Sequence, residues 1–146
     1  INRTHHAEYG SLLANEILRS SDLSTQDRIA VVSAIANHDE STGGAVDAIS
    51  AALIIADKTD VRRSRVRQKP KAVFDIHDRV NYAVTDQTLK INAEKRVISL
   101  NLQLDTGICS MYEYFEIFLG RMLMCRGAAE LLDATFKLTA NGAKVL

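Results

Sequence analysis

Eight apolar residues, Ile108, Met111, Phe115, Phe118, Met122, Cys125, Ala129 and Leu132, follow one another in steps of three and four without a miss. Such a rhythm lays all of them along one narrow line of a helix of about 24 residues, which a sheet or a partner has to cover. The stretch just before it offers a cover. Ile98, Leu100, Leu102 and Leu104 alternate with Ser99, Asn101 and Gln103, the period-2 pattern of a half-buried strand. Faces of matching size predict Phe115, Phe118 and Met122 packed onto Leu100 and Leu102. Val80, Tyr82 and Val84 alternate too and predict an earlier strand. A short strand around Leu89 to Ile91 pairs between that strand and the one from Ile98 to Leu104, across the turn from Asn92 to Lys95, and Phe136 and Leu138 predict a last strand before a tight turn at Asn141-Gly142. Met and Phe at helical spacing are core composition, and the length of the seam leaves room for a homodimer interface.

Upstream the periodicity is helical. From Thr4 to Arg19, His6, Tyr9, Leu13 and Ile17 share one face, expected to carry the core. Ser24 followed by Asp27 predicts a capped helix start, and Val31, Ala34, Ile35 and His38 continue as its stripe. After Gly43-Gly44 a third helix from about Ala45 carries Val46, Ile49, Leu53, Ala56 and Asp57 on one side. The fold class is therefore α+β: a helical bundle over 1–69, then a β-β-β-α-β unit over 70–146, meeting near Pro70.

Eighteen basic and eighteen acidic residues cancel, so no bulk field draws the chain to nucleic acid or an acidic membrane. Aromatic platforms that would stack bases are missing near the basic run, which argues against an RNA partner. There is no 18-residue apolar run and no signal-peptide pattern. Cys109 and Cys125, read as lying in one helix about 24 Å apart, cannot pair there. Together these features point to the cytoplasm. The chain begins with Ile1 rather than Met, so residues upstream are expected.

Three apolar stripes end in groups that can hold a metal: His6, His38 and Asp57. Burying an ionised carboxylate requires a paired charge, a cation or a proton, and for Asp57 the paired charge of Lys58 is the simple alternative. Helices packed side by side can instead converge imidazole and carboxylate on one divalent ion. Arg62 and Arg63, within two turns of Asp57, suit phosphate oxygens because guanidinium forks bind them bidentately. Arg65, Arg67, Lys69 and Lys71 read as solvated. His5 points away from His6 into solvent, and His77-Asp78 reads as structural.

The segments HHAEYGSLLANEIL, AIANHDESTGG and AALIIADKTDVRRSRVR resemble the second half of an HD-superfamily metal-dependent phosphohydrolase domain. His6 stands four residues before Gly10, Ala34-Ile35 leads to His38, and Ala56-Asp57-Lys58 matches the motif ending the last helix. The helix YFEIFLGRMLMCRGAAELL is similar to the C-terminal extension of a bacterial subgroup. The resemblance implies a partial HD-type bundle in which Asp57 is the final Asp ligand and the catalytic residue. It implies that His6 and His38 serve a second metal or the substrate phosphate, and that Asp39 takes the second place of a His-His pair. It further implies a divalent cofactor (Mn, Fe, Mg, Zn or Ni) and a phosphoester substrate, a nucleotide or related small phosphorylated molecule. The family's name-giving His-Asp pair and the His before it lie upstream of the helix matched by His6 and are not in this sequence. The alternative is a non-catalytic ligand-binding, sensor or scaffold domain.

Overall fold

The computed structural model describes residues 4–66 and 75–146. The expected boundary at Pro70 and the basic residues Arg67, Lys69 and Lys71 lie outside the described residues. Three helices come first: α1 (His6–Leu18), α2 (Thr25–Ala36) and α3 (Ala48–Thr59). A short 3-10 turn at Arg63–Arg65 follows, then α4 (Ile76–Ala83), β1 (Val84–Asn92), β2 (Val97–Leu104), α5 (Met111–Leu131), β3 (Thr135–Ala140) and β4 (Ala143–Lys144).

Local chemistry explains most of the starts. Ser24 accepts a hydrogen bond from the Asp27 amide at 3.1 Å, as its spacing predicts. Reciprocal capping boxes open α3 through Asp47 and Ser50, α4 through Asp75 and Asp78, and α5 through Ser110 and Glu113. The Asp75-Asp78 box corrects the strand expected over Val80 to Val84. Val80 and Ala83, three residues apart, turn to the core as one helical face, and only Val84 is extended. Three alternating residues are too few to outweigh a cap. The helix expected from about Ala45 begins at Ala48, behind its Asp47 cap, leaving Val46 exposed. Cys109 precedes α5 rather than lying in it.

The C-terminal unit is thus α-β-β-α-β-β rather than β-β-β-α-β. Its mixed sheet has the order β1-β2-β3-β4. β1 and β2 are antiparallel and absorb the short strand expected at Leu89 to Ile91. α5 crosses over to bring β3 parallel to β2, with Ile98 opposite Phe136 and Leu100 opposite Leu138. Asn141 and Gly142, at φ 48° and 79°, make the turn into β4.

Ile98, Leu100, Leu102 and Leu104 form one buried sheet face, and Phe118, Met122, Cys125 and Ala129 of α5 share their core cluster, with Phe115 partly buried against it. Ala51, Ile54 and Ile55 of α3 belong to the same cluster, so α5 is covered by the sheet on one side and by α3 on another.

Two upstream stripes differ from expectation. Tyr9, Leu13 and Ile17 are 53%, 52% and 71% exposed, while Ala7 and Ser11 are the buried residues of α1. The small face wins because it permits close approach to α2. A Cβ at Gly10 would stand 3.5 Å from Ile35 Cγ2. On α3 the buried face runs through Ala51, Ile54, Ile55 and Lys58, one residue out of step with the expected one. Asp57 sits at its edge with a side chain 35% exposed, and Lys58, at 2%, is the charge that is buried.

Candidate functional site

A cavity of about 730 Å³ opens where the N-terminal helices meet α4 and α5. His6 enters from the first turn of α1, and His38, Asp39 and Glu40 from the loop after α2. Asp57 and Lys58 come from the last turn of α3, Asp60 and Arg65 from the segment beyond it, His77, Asp78 and Asn81 from α4, and Arg121 from α5.

The loop holding His38 is fixed by a close backbone approach. The Gly43 amide donates to the Asp39 carbonyl at 2.8 Å. A Cβ on Gly43 would lie 2.2 Å from the Asn37 carbonyl oxygen, so the chain can return over itself only with glycine there.

The two histidine rings meet edge to face, with His6 Nε2 3.1 Å from His38 Nε2. His38 Nδ1 lies 2.5 Å from the Ile35 carbonyl, which can only accept, so this nitrogen carries the hydrogen. His6 Nδ1 faces Asp39 Oδ2 across 3.3 Å. The Ser41 hydroxyl, donating to Asp39 at 2.5 Å, is the main cause that holds this carboxyl below the usual range, so it is ionised and favours a hydrogen on His6 Nδ1. The 3.1 Å approach of the two Nε2 atoms is a hydrogen bond when one of them carries a hydrogen, and only His6 Nε2 can be that donor, because His38 has its hydrogen on Nδ1. An imidazole whose other ring nitrogen is tied to a carbonyl or carboxylate is the usual arrangement of a metal-ligating histidine, so the donor chemistry of this pair fits a divalent cation.

Asp57 lines the same cavity, but its Oδ2 is 2.9 Å from Lys58 Nζ, the salt bridge that the sequence left as its simple alternative. Lys58 also pairs with Glu40 Oε2 at 2.7 Å, and Arg121 Nε donates to Glu40 Oε1 at 3.1 Å. Burial works to raise the Glu40 pKa, but Lys58 and Arg121 outweigh it and the carboxyl stays below the usual range. Asp60 behaves alike: burial is opposed by hydrogen bonds from Arg62 at 2.6 Å and Arg65 at 2.8 Å. Among the described residues no three His, Cys, Asp or Glu side chains stand close enough together to hold a metal ion. The lining carries five carboxylates against Lys58, Arg65 and Arg121, an excess of negative charge that favours a cation over a bare phosphate.

Arg62 and Arg63 are not brought to this cavity. They line a separate groove of about 450 Å³ with Ser64, Val84, Thr85, Asp86 and Gln87. Arg63 donates to the Tyr82 carbonyl at 2.7 Å and lies over the Tyr82 ring. Arg65, read as solvated, has a side chain 53% exposed and also lines the histidine cavity, as do His77 and Asp78, of which Asp78 has the structural role read for it as the capping partner of Asp75. His5 is exposed beside Glu8, as expected. Arg121 was missed although it is the one charged residue between Ile117 and Cys125, a signal for a buried ionic role. Both cysteines are buried and unpaired, and burial pushes the Cys125 thiol up to about 12, which removes it as a nucleophile.

No helix among the described residues is long and apolar enough to cross a membrane. Comparisons of the chain with family models, with curated proteins and with solved structures return no match.

Proposed function

We propose that the chain is a metal-dependent phosphohydrolase of the HD type, acting in the cytoplasm on a phosphoester, a nucleotide or a related small phosphorylated molecule. One observation carries this reading: the facing Nε2 atoms of His6 and His38 in a cavity with excess negative charge that Asp57 also lines. His6 and His38 would hold the ion, and Asp57, which lines the same cavity but does not stand close enough to the rings to complete a three-ligand set, is the candidate carboxylate partner. A divalent ion supplies a bound water of pKa about 7 and polarises a phosphoryl oxygen. Arg65 and Arg121 are the guanidinium groups at the cavity, and in this reading they replace Arg62 and Arg63 as the cations that face substrate phosphate.

The test is hydrolysis of p-nitrophenyl phosphate with Mn²⁺ by the wild type, His38→Ala and Asp57→Asn, with thermal midpoints measured alongside. Turnover falling by about 100-fold or more in folded variants supports the assignment. Undiminished metal-dependent turnover in either variant removes that residue from the site.

The Asp57-Lys58 pair favours a second reading, a non-catalytic ligand-binding or scaffold domain in which Lys58 already neutralises the carboxylate. It predicts ion binding at the histidines with no hydrolysis of the ester.

A further inference from the structure

Four charged groups stand in line from α5 to the end of α3, and their signs alternate: Arg121, Glu40, Lys58 and Asp57. Lys58 cannot relax into solvent, because its side chain is 2% exposed and its ammonium is held between the Glu40 and Asp57 oxygens at 2.7 and 2.9 Å. Arg121 is anchored as well. Its guanidinium lies 4.6 Å over the ring of Phe118, a residue with no exposed surface.

Resting on the proposed metal site, we infer that Arg121 is a positioning residue for Asp57, acting through Glu40 and Lys58, so that α5 of the C-terminal unit sets how much negative charge Asp57 offers a cation. The physical reason is competition for one ammonium. Arg121 takes up part of the Glu40 charge, which leaves Lys58 more strongly committed to Asp57. Without Arg121, Glu40 draws Lys58 toward itself and Asp57 is freed for a metal. Without the Glu40 charge, Lys58 has Asp57 alone and masks it more completely. This gives the C-terminal unit a role at the site beyond the His77, Asp78 and Asn81 that α4 lends to its lining.

The relay predicts effects of opposite sign from two neighbouring substitutions. Mn²⁺ binding to the full chain is measured by isothermal titration calorimetry at neutral pH and fixed salt, for the wild type, Arg121→Gln, Glu40→Gln and Arg121→Lys, with thermal midpoints in chelator. Arg121→Gln is expected to tighten Mn²⁺ binding by about threefold or more, and Glu40→Gln to weaken it by about as much, the scale of one charge acting on a divalent ion through partly wet protein. Arg121→Lys keeps the charge and is expected to bind as the wild type does. A merely structural cluster weakens binding in both variants in step with lost stability. Shifts in the same direction, or equal affinities in all four proteins, overturn the inference while leaving the metal site in place. A wild type that takes up no Mn²⁺ overturns the inference and the functional reading together.

Discussion

Replacing Lys58 by Met removes the buried ammonium while keeping nearly the same side-chain length, and the structure sets the size of the effect. Asp57 and Glu40 each place an oxygen within 3 Å of Lys58 Nζ, at 2.9 and 2.7 Å, and lose their shared cation. Their facing oxygens are then two negative charges within about 6 Å of one another, a repulsion of about 1–3 kcal/mol for effective dielectric constants between those of water and a protein surface. Removing one partner of a fully buried pair costs about 3–5 kcal/mol, but these carboxylates are 35% and 34% exposed and draw on water, so the lower figure applies. For a chain of this size that corresponds to a fall of roughly 3–10 °C in thermal midpoint. The assay is thermal unfolding followed by circular dichroism, first in chelator and then with excess Mn²⁺. The midpoint is expected to fall in chelator and to recover in part with Mn²⁺, because the cation replaces the lost positive charge. A midpoint in chelator equal to or above that of the wild type refutes the reasoning, since it shows that desolvating Lys58 cost as much as its two ion pairs return.

Other consequences follow from the same geometry. Gly43→Ala drives a Cβ into the Asn37 carbonyl, so a loss of about 2 kcal/mol or more is expected, together with weaker Mn²⁺ binding because His38 shares the loop; chemical denaturation and calorimetry check the two parts. Ser110→Ala removes the cap of α5, with an expected cost of about 1 kcal/mol in denaturant unfolding and no change in Mn²⁺ affinity. Asp39, Glu40, Asp47 and Asp60 are all held below their ordinary pKa values, so the unfolded chain takes up protons first on acidification. Their contribution to stability is therefore complete above about pH 5 and is lost as pH falls through about 4 and below; unfolding free energies that rise over that range contradict it.

What was legible in the sequence was what local chemistry decides. The Ser24 cap, the strand from Ile98 to Leu104 and the seam of α5 each rest on a repeated or reciprocal signal, and each stands in the structure. The stripe Tyr9, Leu13, Ile17 misled because apolar periodicity shows which face is greasy, not which face a neighbour covers; the smaller face of Ala7 and Ser11 packs more closely. On α3 the same ambiguity exchanged Asp57 for Lys58, a rotation of one residue in a run that is apolar nearly all round. Of the candidate site, the structure shares with the sequence reading only that His6, His38 and Asp57 line one cavity, with His6 at the start of α1, His38 in the loop after α2 and Asp57 in the last turn of α3. The approach of His77 and Arg65 was not legible, since it depends on how the chain returns through α4 after the basic run. Arg63 also depends on long-range structure: it settles on Tyr82, nineteen residues away, rather than on the cavity.

The claim that His6 and His38 hold a cation between their ring nitrogens is tested most directly by pulsed electron paramagnetic resonance of the Mn²⁺-loaded protein, which detects ¹⁴N nuclei bound to the ion. Coordination by both rings predicts a two-imidazole nitrogen modulation that is reduced in His6→Ala and in His38→Ala and is lost in the double variant. Bound Mn²⁺ without nitrogen modulation, or a modulation unchanged in the double variant, contradicts the site.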